Sequence, residues 1–170
     1  LELADCENVF VINGDVPLIE GHIIDSMINT HMKSKAAATL LTADLNSPKK
    51  LGRIIRSKDG DVKRIFEVDN EDDMQSSTTE INSGVYCFNK NLLELYLQKI
   101  RQSKSSEVYL TDVIELLSNE GECIDSIRLR DVERIKFGID SKFDLEIGNA
   151  YLRDNILTEL MLEGVTIEDR

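Results

Sequence analysis

The chain has 170 residues, 41% of them apolar and 31% charged, and its 20 basic against 32 acidic residues leave a net charge of -12. That length holds one domain with a real core, and the apolar fraction excludes a disordered chain. The acidic balance argues against nucleic acid and anionic membrane surfaces as partners, since both select Lys and Arg. In chain order, Val9 to Ile12 is a short apolar run closed by Asn13-Gly-Asp-Val-Pro17, which reads as a buried strand ending in a turn. Gly21 to Lys35 carries Ile24, Met27, Ile28 and His31 at helical spacing. Ala36 to Ala43 reads as a second buried strand, so the three pieces form a β-α-β unit with parallel strands. Arg53 to Arg56 and Val62 to Glu67 flank Asp59-Gly60 and predict a hairpin. Val68 to Thr79 is acidic and rich in Ser and Thr, and reads as a surface loop.

Ile81 to Phe88 is rich in β-formers and reads as a strand. Leu92 to Ile100 and Thr111 to Leu117 are apolar at helical spacing, Cys123 to Leu129 reads as a strand, and Ile135 to Ile139 as a last short one. Ser141 with Asp144 resembles a capping box, which opens a long helix over Lys142 to Glu163. Its apolar positions include Phe143, Ile147, Ala150, Tyr151, Leu157, Leu160 and Met161. Alternating strands and helices with an inserted hairpin predict an α/β fold on a mixed, mainly parallel sheet. Three cysteines, Cys6, Cys87 and Cys123, with no C-x-x-C and two histidines, point away from a zinc site and from a disulfide framework. They suit a reduced, cytoplasmic protein. A chain that opens on Leu1 is expected to be part of something longer.

In α/β sheets, ligands bind beyond the carboxyl ends of strands. That rule picks out Asn13-Gly14-Asp15, Glu67 and Asp140. Asp15 is either a turn residue bonding its own backbone or a carboxylate held at a strand tip for a Mg²⁺ ion. Asp140 is either a polar residue at a helix start or a second carboxylate for the same ion. Asn82 interrupts an apolar strand and offers both a donor and an acceptor, for a sugar hydroxyl or for neighbouring backbone. Lys49, Lys50, Arg53, Arg56, Lys58, Lys63 and Arg64 form the dense basic stretch, read mostly as a solvated hairpin face with a phosphate contact as the alternative. No G-x-G-x-x-G or G-x-x-x-x-G-K-[ST] is present, so these residues hold no Gly-rich cradle for a triphosphate.

Taken in order, Gly14-Asp-Val-Pro-Leu18, Leu40-Leu-Thr-Ala43, Leu51-Gly-Arg-Ile54, Ile65-Phe-Glu67, Glu80-Ile-Asn-Ser-Gly84, Glu107-Val-Tyr-Leu-Thr-Asp112, Gly138-Ile-Asp140 and Gly164-Val-Thr-Ile-Glu-Asp169 resemble a known family. It is the uridyltransferase domain of the bifunctional N-acetylglucosamine-1-phosphate uridyltransferase/glucosamine-1-phosphate acetyltransferase. The resemblance implies a nucleotide-diphospho-sugar transferase fold, truncated at its N-terminus. It implies transfer of UMP from UTP to N-acetylglucosamine 1-phosphate, giving UDP-N-acetylglucosamine for peptidoglycan and lipopolysaccharide synthesis, and pyrophosphate. It places a Mg²⁺ cofactor on Asp15 with Asp140, where the family has Asn. It matches Gly14, Gly52, Glu67 and Asn82 to residues that contact the sugar nucleotide, and Asn13 to a position usually held by Tyr. Asp69 stands where the family usually has Lys, and Leu51 where it has Tyr.

The same resemblance makes residues 1–139 the sugar-binding part of a nucleotidyltransferase domain and 140–170 a helix leading towards a left-handed β-helix domain. The full-length enzyme is then expected to be a homotrimer through that domain, and these residues alone inactive. Two alternatives stand beside this reading. One is another sugar-1-phosphate nucleotidyltransferase, making a dTDP-, GDP- or CDP-sugar, towards which Asp140 leans. The other is a non-catalytic binding module of the same fold.

Overall fold

The computed structural model describes residues 6–48, 50–68, 78–103, 109–130 and 138–169. Its sheet is organised around β5 (Glu80–Asn89), ten residues buried along nearly their whole length. On one side β5 pairs with β2 (Ala38–Asp44). On the other it pairs with β1 (Asn8–Ile12) along its second half and with β3 (Arg53–Arg56) at Ile81. β4 (Val62–Phe66) extends the sheet beyond β3, and β6 (Ile124–Leu129) extends it beyond β2.

The mainly parallel sheet expected from the order of elements is not what forms. β2 with β6 is the parallel pair among the described strands, whereas β1–β5, β2–β5, β3–β4 and β3–β5 are antiparallel. The sheet is mixed and mostly antiparallel. The cause is the position of β5. β1 and β2 do run in the same direction, joined by helix α1 (Gly21–Ser34), but β5 runs the opposite way between them. β1 is also less buried than expected, with its middle residues half-buried and both ends exposed.

The two faces of the sheet carry separate cores. One face packs Leu40, Ile54, Ile65, Tyr86 and Phe88 against helices α2 (Lys90–Ser103) and α3 (Asp112–Asn119). The other packs Leu41, Ala43, Ile81 and Val85 against α1 and Val16. In α1 the buried line is Ile23, Met27 and His31, one helical face at intervals of four, while Ile28 is exposed. His31 ties three elements together: Nδ1 bonds Thr39 Oγ1 of β2 at 2.9 Å and Nε2 bonds Asn8 Oδ1 of β1 at 3.1 Å.

The predicted hairpin is present, with Arg56 opposite Val62 across the Asp59-Gly60 turn. Helix α4 (Lys142–Leu162) is also present, and Ser141 caps it by accepting from the Asp144 amide. Its apolar side chains Phe143, Ile147, Leu160 and Met161 are exposed, and Gly148 is its buried residue, against Leu18 and Ile139. Of the strand expected at Ile135 to Ile139, residues 135–137 lie outside the described residues, and Gly138–Ile139 is not strand. Most of the acidic loop, with Asp69, also lies outside them.

Candidate functional site

β5 breaks its regular register where Asn82, Ser83 and Gly84 meet β2. Leu40 faces Tyr86 but Thr42 faces Asn82, so β5 bulges between them. Gly84 sits in that bulge at φ +75°, a conformation that favours glycine. A side chain there would also collide with the Asn13 amide that lies over it. The Asn13 backbone N–H donates to Gly84 O at 3.1 Å, which fixes the end of β1 against the bulge. Ser83 turns the other way and donates to Leu41 O at 2.7 Å.

Asn82 and Tyr86 share one side of the strand. Asn82 Nδ2 donates to the Tyr86 hydroxyl at 2.6 Å, and Asn82 Oδ1 accepts from the Gly84 amide at 3.3 Å. Burial pushes the Tyr86 hydroxyl well above its ordinary value; the Asn82 bond works against this and the Glu67 charge adds to it. Tyr86 therefore stays protonated at neutral pH. The start of β3 closes the other wall. Asn82 N–H donates to Gly52 O at 2.8 Å, and a Cβ on Gly52 would lie 3.0 Å from Glu67 Oε2 and 3.1 Å from Ile65 Cγ2. Only a residue without a side chain lets the Glu67 carboxylate come that close to the strand.

These walls enclose a cavity of about 340 Å³ at the carboxyl end of β1. Five of the seven residues singled out from the sequence border it: Asn13, Asp15, Gly52, Glu67 and Asn82. Gly14 is exposed in the turn and does not border it. Asp140 is also outside its lining, but the Ile139 amide donates to Asp15 O at 2.9 Å and so brings the two carboxylate-bearing segments side by side. Lys50, Tyr86, Tyr109 and Thr111 border the cavity too; Lys50 belongs to the basic stretch for which a phosphate contact is the alternative, and sequence reasoning assigns the other three no role of their own. Tyr109 and Thr111 belong to one of the matched motifs. Tyr86 lies four residues beyond Asn82, a spacing that a regular strand would also place on Asn82's face.

The basic stretch is not a uniform solvated face. Arg53 is 1% exposed, with Nη1 donating to Leu51 O. Arg56 binds Glu80 through two bonds, 2.8 Å from Nε to Oε2 and 2.6 Å from Nη2 to Oε1. Glu80 also accepts from Thr42 Oγ1 at 2.7 Å, and Arg128 stands 3.4 Å away. Burial alone would raise the Glu80 carboxyl, but the bonds from Arg56 and Thr42 and the charges of Arg56 and Arg128 outweigh it and hold it low. A larger cavity of about 730 Å³ opens at the opposite end of β1, lined in part by Cys6, Asn8, His31 and Asn89. It holds none of the residues picked from the sequence.

A family model described as nucleotidyl transferase matches residues 1–132. The chain is 40% identical over 162 residues to the bifunctional protein GlmU of Acetivibrio thermocellus, covering 95% of this chain and 35% of that protein. It is 38% identical over 157 residues to the bifunctional protein GlmU of Streptococcus suis, covering 92% of this chain and 34% of the relative. The chain thus spans about a third of the length of these curated relatives. In fold it is similar to a crystal structure described as a putative glucose-1-phosphate thymidylyltransferase from Bacillus anthracis. That likeness has a TM-score of 0.64 at 17% identity, over 87% of this chain and 55% of the other.

Proposed function

The chain belongs to the nucleotidyl transferase family, and from that premise we propose that its cavity is the sugar-phosphate end of an enzyme transferring UMP from UTP to N-acetylglucosamine 1-phosphate. The products are UDP-N-acetylglucosamine and pyrophosphate. The observation that carries the reading is the convergence of Asn82, Glu67 and Gly52 on one cavity beside Asp15. These residues come from three strands or strand ends far apart in sequence, and each was singled out by its motif.

The roles follow from the groups each residue offers. Asn82 uses one N–H and one lone pair within the protein, which leaves donor and acceptor capacity for an acetamido or hydroxyl group. Glu67 accepts from sugar hydroxyls. Gly52 lets a sugar ring approach the backbone, and the protonated Tyr86 hydroxyl holds the Asn82 amide in one orientation. Pairing polar groups in a partly closed site discriminates strongly against ligands that lack them. The attacking atom is a phosphate oxygen of the sugar phosphate, so the chain's task is to position it rather than to supply a nucleophile.

Asp15 and Asp140 are the proposed holders of Mg²⁺. Two carboxylates on adjacent segments suit a cation that takes its remaining ligands from phosphate and water. When bound, that ion neutralises charge on the reacting phosphates. The family's Gly-rich nucleotide loop has no counterpart in the 170 residues, so turnover is proposed to belong to a longer protein, in which residues 1–139 supply the sugar-binding part and 140–170 the connecting helix. The carboxylate at Asp140 supports a second reading, an enzyme of the same type making a dTDP-, GDP- or CDP-sugar. Competition among nucleotide sugars for the cavity separates the two.

Titration calorimetry with N-acetylglucosamine 1-phosphate tests the proposal. Asn82→Ala and Glu67→Ala should each weaken binding at least about tenfold, the consequence of leaving one polar partner unpaired. Unchanged affinity in both variants, or binding of UMP without binding of the sugar phosphate, would falsify it.

A further inference from the structure

The cavity has an electrostatic problem that its polar sugar contacts do not solve. Its walls carry the carboxylates of Asp15 and Glu67, and the whole chain has a net charge of -12. A sugar 1-phosphate is a monoester that approaches as a dianion at neutral pH, so it meets repulsion from both walls. Hydroxyl-reading groups such as Asn82 do nothing to offset that charge.

Lys50 is the basic side chain that borders the cavity among the described residues. Among the described residues, the other cations of the basic stretch lie away from the cavity lining. Arg53 is buried against Leu51 O, and Arg56 is held by Glu80. Arg64 stacks over the Phe66 ring at 5.6 Å, Lys58 is exposed in the hairpin turn and Lys63 is exposed on β4. Lys50 by contrast is exposed, and has no ion-pair partner among the described residues. It sits in a turn closed by the Leu51 amide on Pro48 O, two residues before Gly52, whose carbonyl is fixed by Asn82. The backbone below Lys50 is thus anchored to the sugar-reading wall, while its four-carbon stem leaves the ammonium free to reach into the mouth.

We infer that Lys50 receives the phosphate of the sugar phosphate and so makes the cavity prefer a sugar 1-phosphate over the free sugar. The inference rests on the reading of the cavity given above and adds a residue that sets its specificity. A lysine suits the role because a mobile point charge follows a phosphate without demanding one geometry.

The test is calorimetric titration of N-acetylglucosamine 1-phosphate and of neutral N-acetylglucosamine, with a chelator present, into the wild type, Lys50→Gln and Lys50→Arg. Thermal melts of all three check the fold. Lys50→Gln should weaken binding of the phosphorylated ligand about two- to fivefold, the upper range of an exposed charged contact. It should leave the neutral sugar unchanged, and Lys50→Arg should restore most of the loss. The loss should shrink as salt is raised. If Lys50→Gln keeps the wild type's preference for the phosphorylated ligand, or weakens both ligands equally, the role of Lys50 is overturned and the cavity reading stands. If neither ligand binds the wild type, the cavity reading falls and Lys50 falls with it.

Discussion

Glu80 and Asn82 lie two residues apart on the same strand and have opposite fates. Glu80 is 2% exposed and fully engaged, bonded by Arg56 and Thr42 with Arg128 nearby. Asn82 is half-buried, bonds only Tyr86 and Gly84 through its side chain among the described residues, and opens on a cavity. Both are polar interruptions of a buried strand. The difference between them is spare capacity. A polar group whose every bond is made inside the protein fastens elements together, and one with bonds left over can bind something else. Glu80 fastens the β3–β4 hairpin to the main sheet, a join that the single β3–β5 register pair at Arg53 and Ile81 would leave weak.

Removing each side chain should widen that contrast. Glu80→Ala leaves Arg56 without its buried counter-charge, while Arg128 keeps its pair with Asp44, and should cost about 3 kcal/mol of stability in urea denaturation, the low end for a broken buried pair because Arg56 is partly exposed. Asn82→Ala should cost no more than about 1 kcal/mol, since it removes side-chain bonds at a half-buried position, while abolishing most sugar-phosphate affinity. Equal destabilisation by the two would erase the distinction.

Acid sharpens it in a second way. Burial holds His31 below its ordinary 6.5, although the Asp125 charge opposes this. The unfolded chain therefore binds more protons than the folded one just below pH 6.5, so the stability His31 contributes is complete above 6.5 and declines as the pH drops beneath it. Glu80 is held below its ordinary 4.5, so its contribution is complete above 4.5 and is lost as the pH falls through the lowered value. Denaturation midpoints measured from pH 8 to pH 3 should thus fall in two stages, and His31→Gln should remove the first. A single stage that begins below 4.5 in the wild type would show His31 to be inert. The smallest effect is expected away from both clusters. Lys35 ends α1 in the left-handed region at φ 50°. Lys35→Gly should relieve that conformation and change stability by less than about 1 kcal/mol, in the stabilising direction, as read by thermal melting.

Much of this arrangement was legible in the amino-acid order. Most strand and helix segments (the strand expected at Ile135 to Ile139 excepted), the Asp59-Gly60 hairpin, the Ser141 cap and five cavity residues follow from local periodicity, turn chemistry and motif order. Strand direction did not follow, because β1 and β2 are neighbours in sequence while their common partner, β5, is inserted from far along the chain. Periodicity reports which face a residue takes, not which strand it pairs with. Lys50 was one cation in a crowd of seven, and only its place on the cavity wall, seen in three dimensions, separates it from the rest. Glu80 was quoted within a motif, but nothing local reveals that its charge is spent on Arg56.

The central place of β5 also sets a timetable. β1 and β2 are made early, yet neither can form its ladder with β5 until residues 80–89 have been synthesised. At roughly 5–20 residues per second, a growing chain on the ribosome carries these apolar strands unpaired for some seconds. Such long-range closure makes folding slow and leaves sticky edges bare in the meantime. The strand that later shapes the cavity is therefore also the one for which β1 and β2 must both wait.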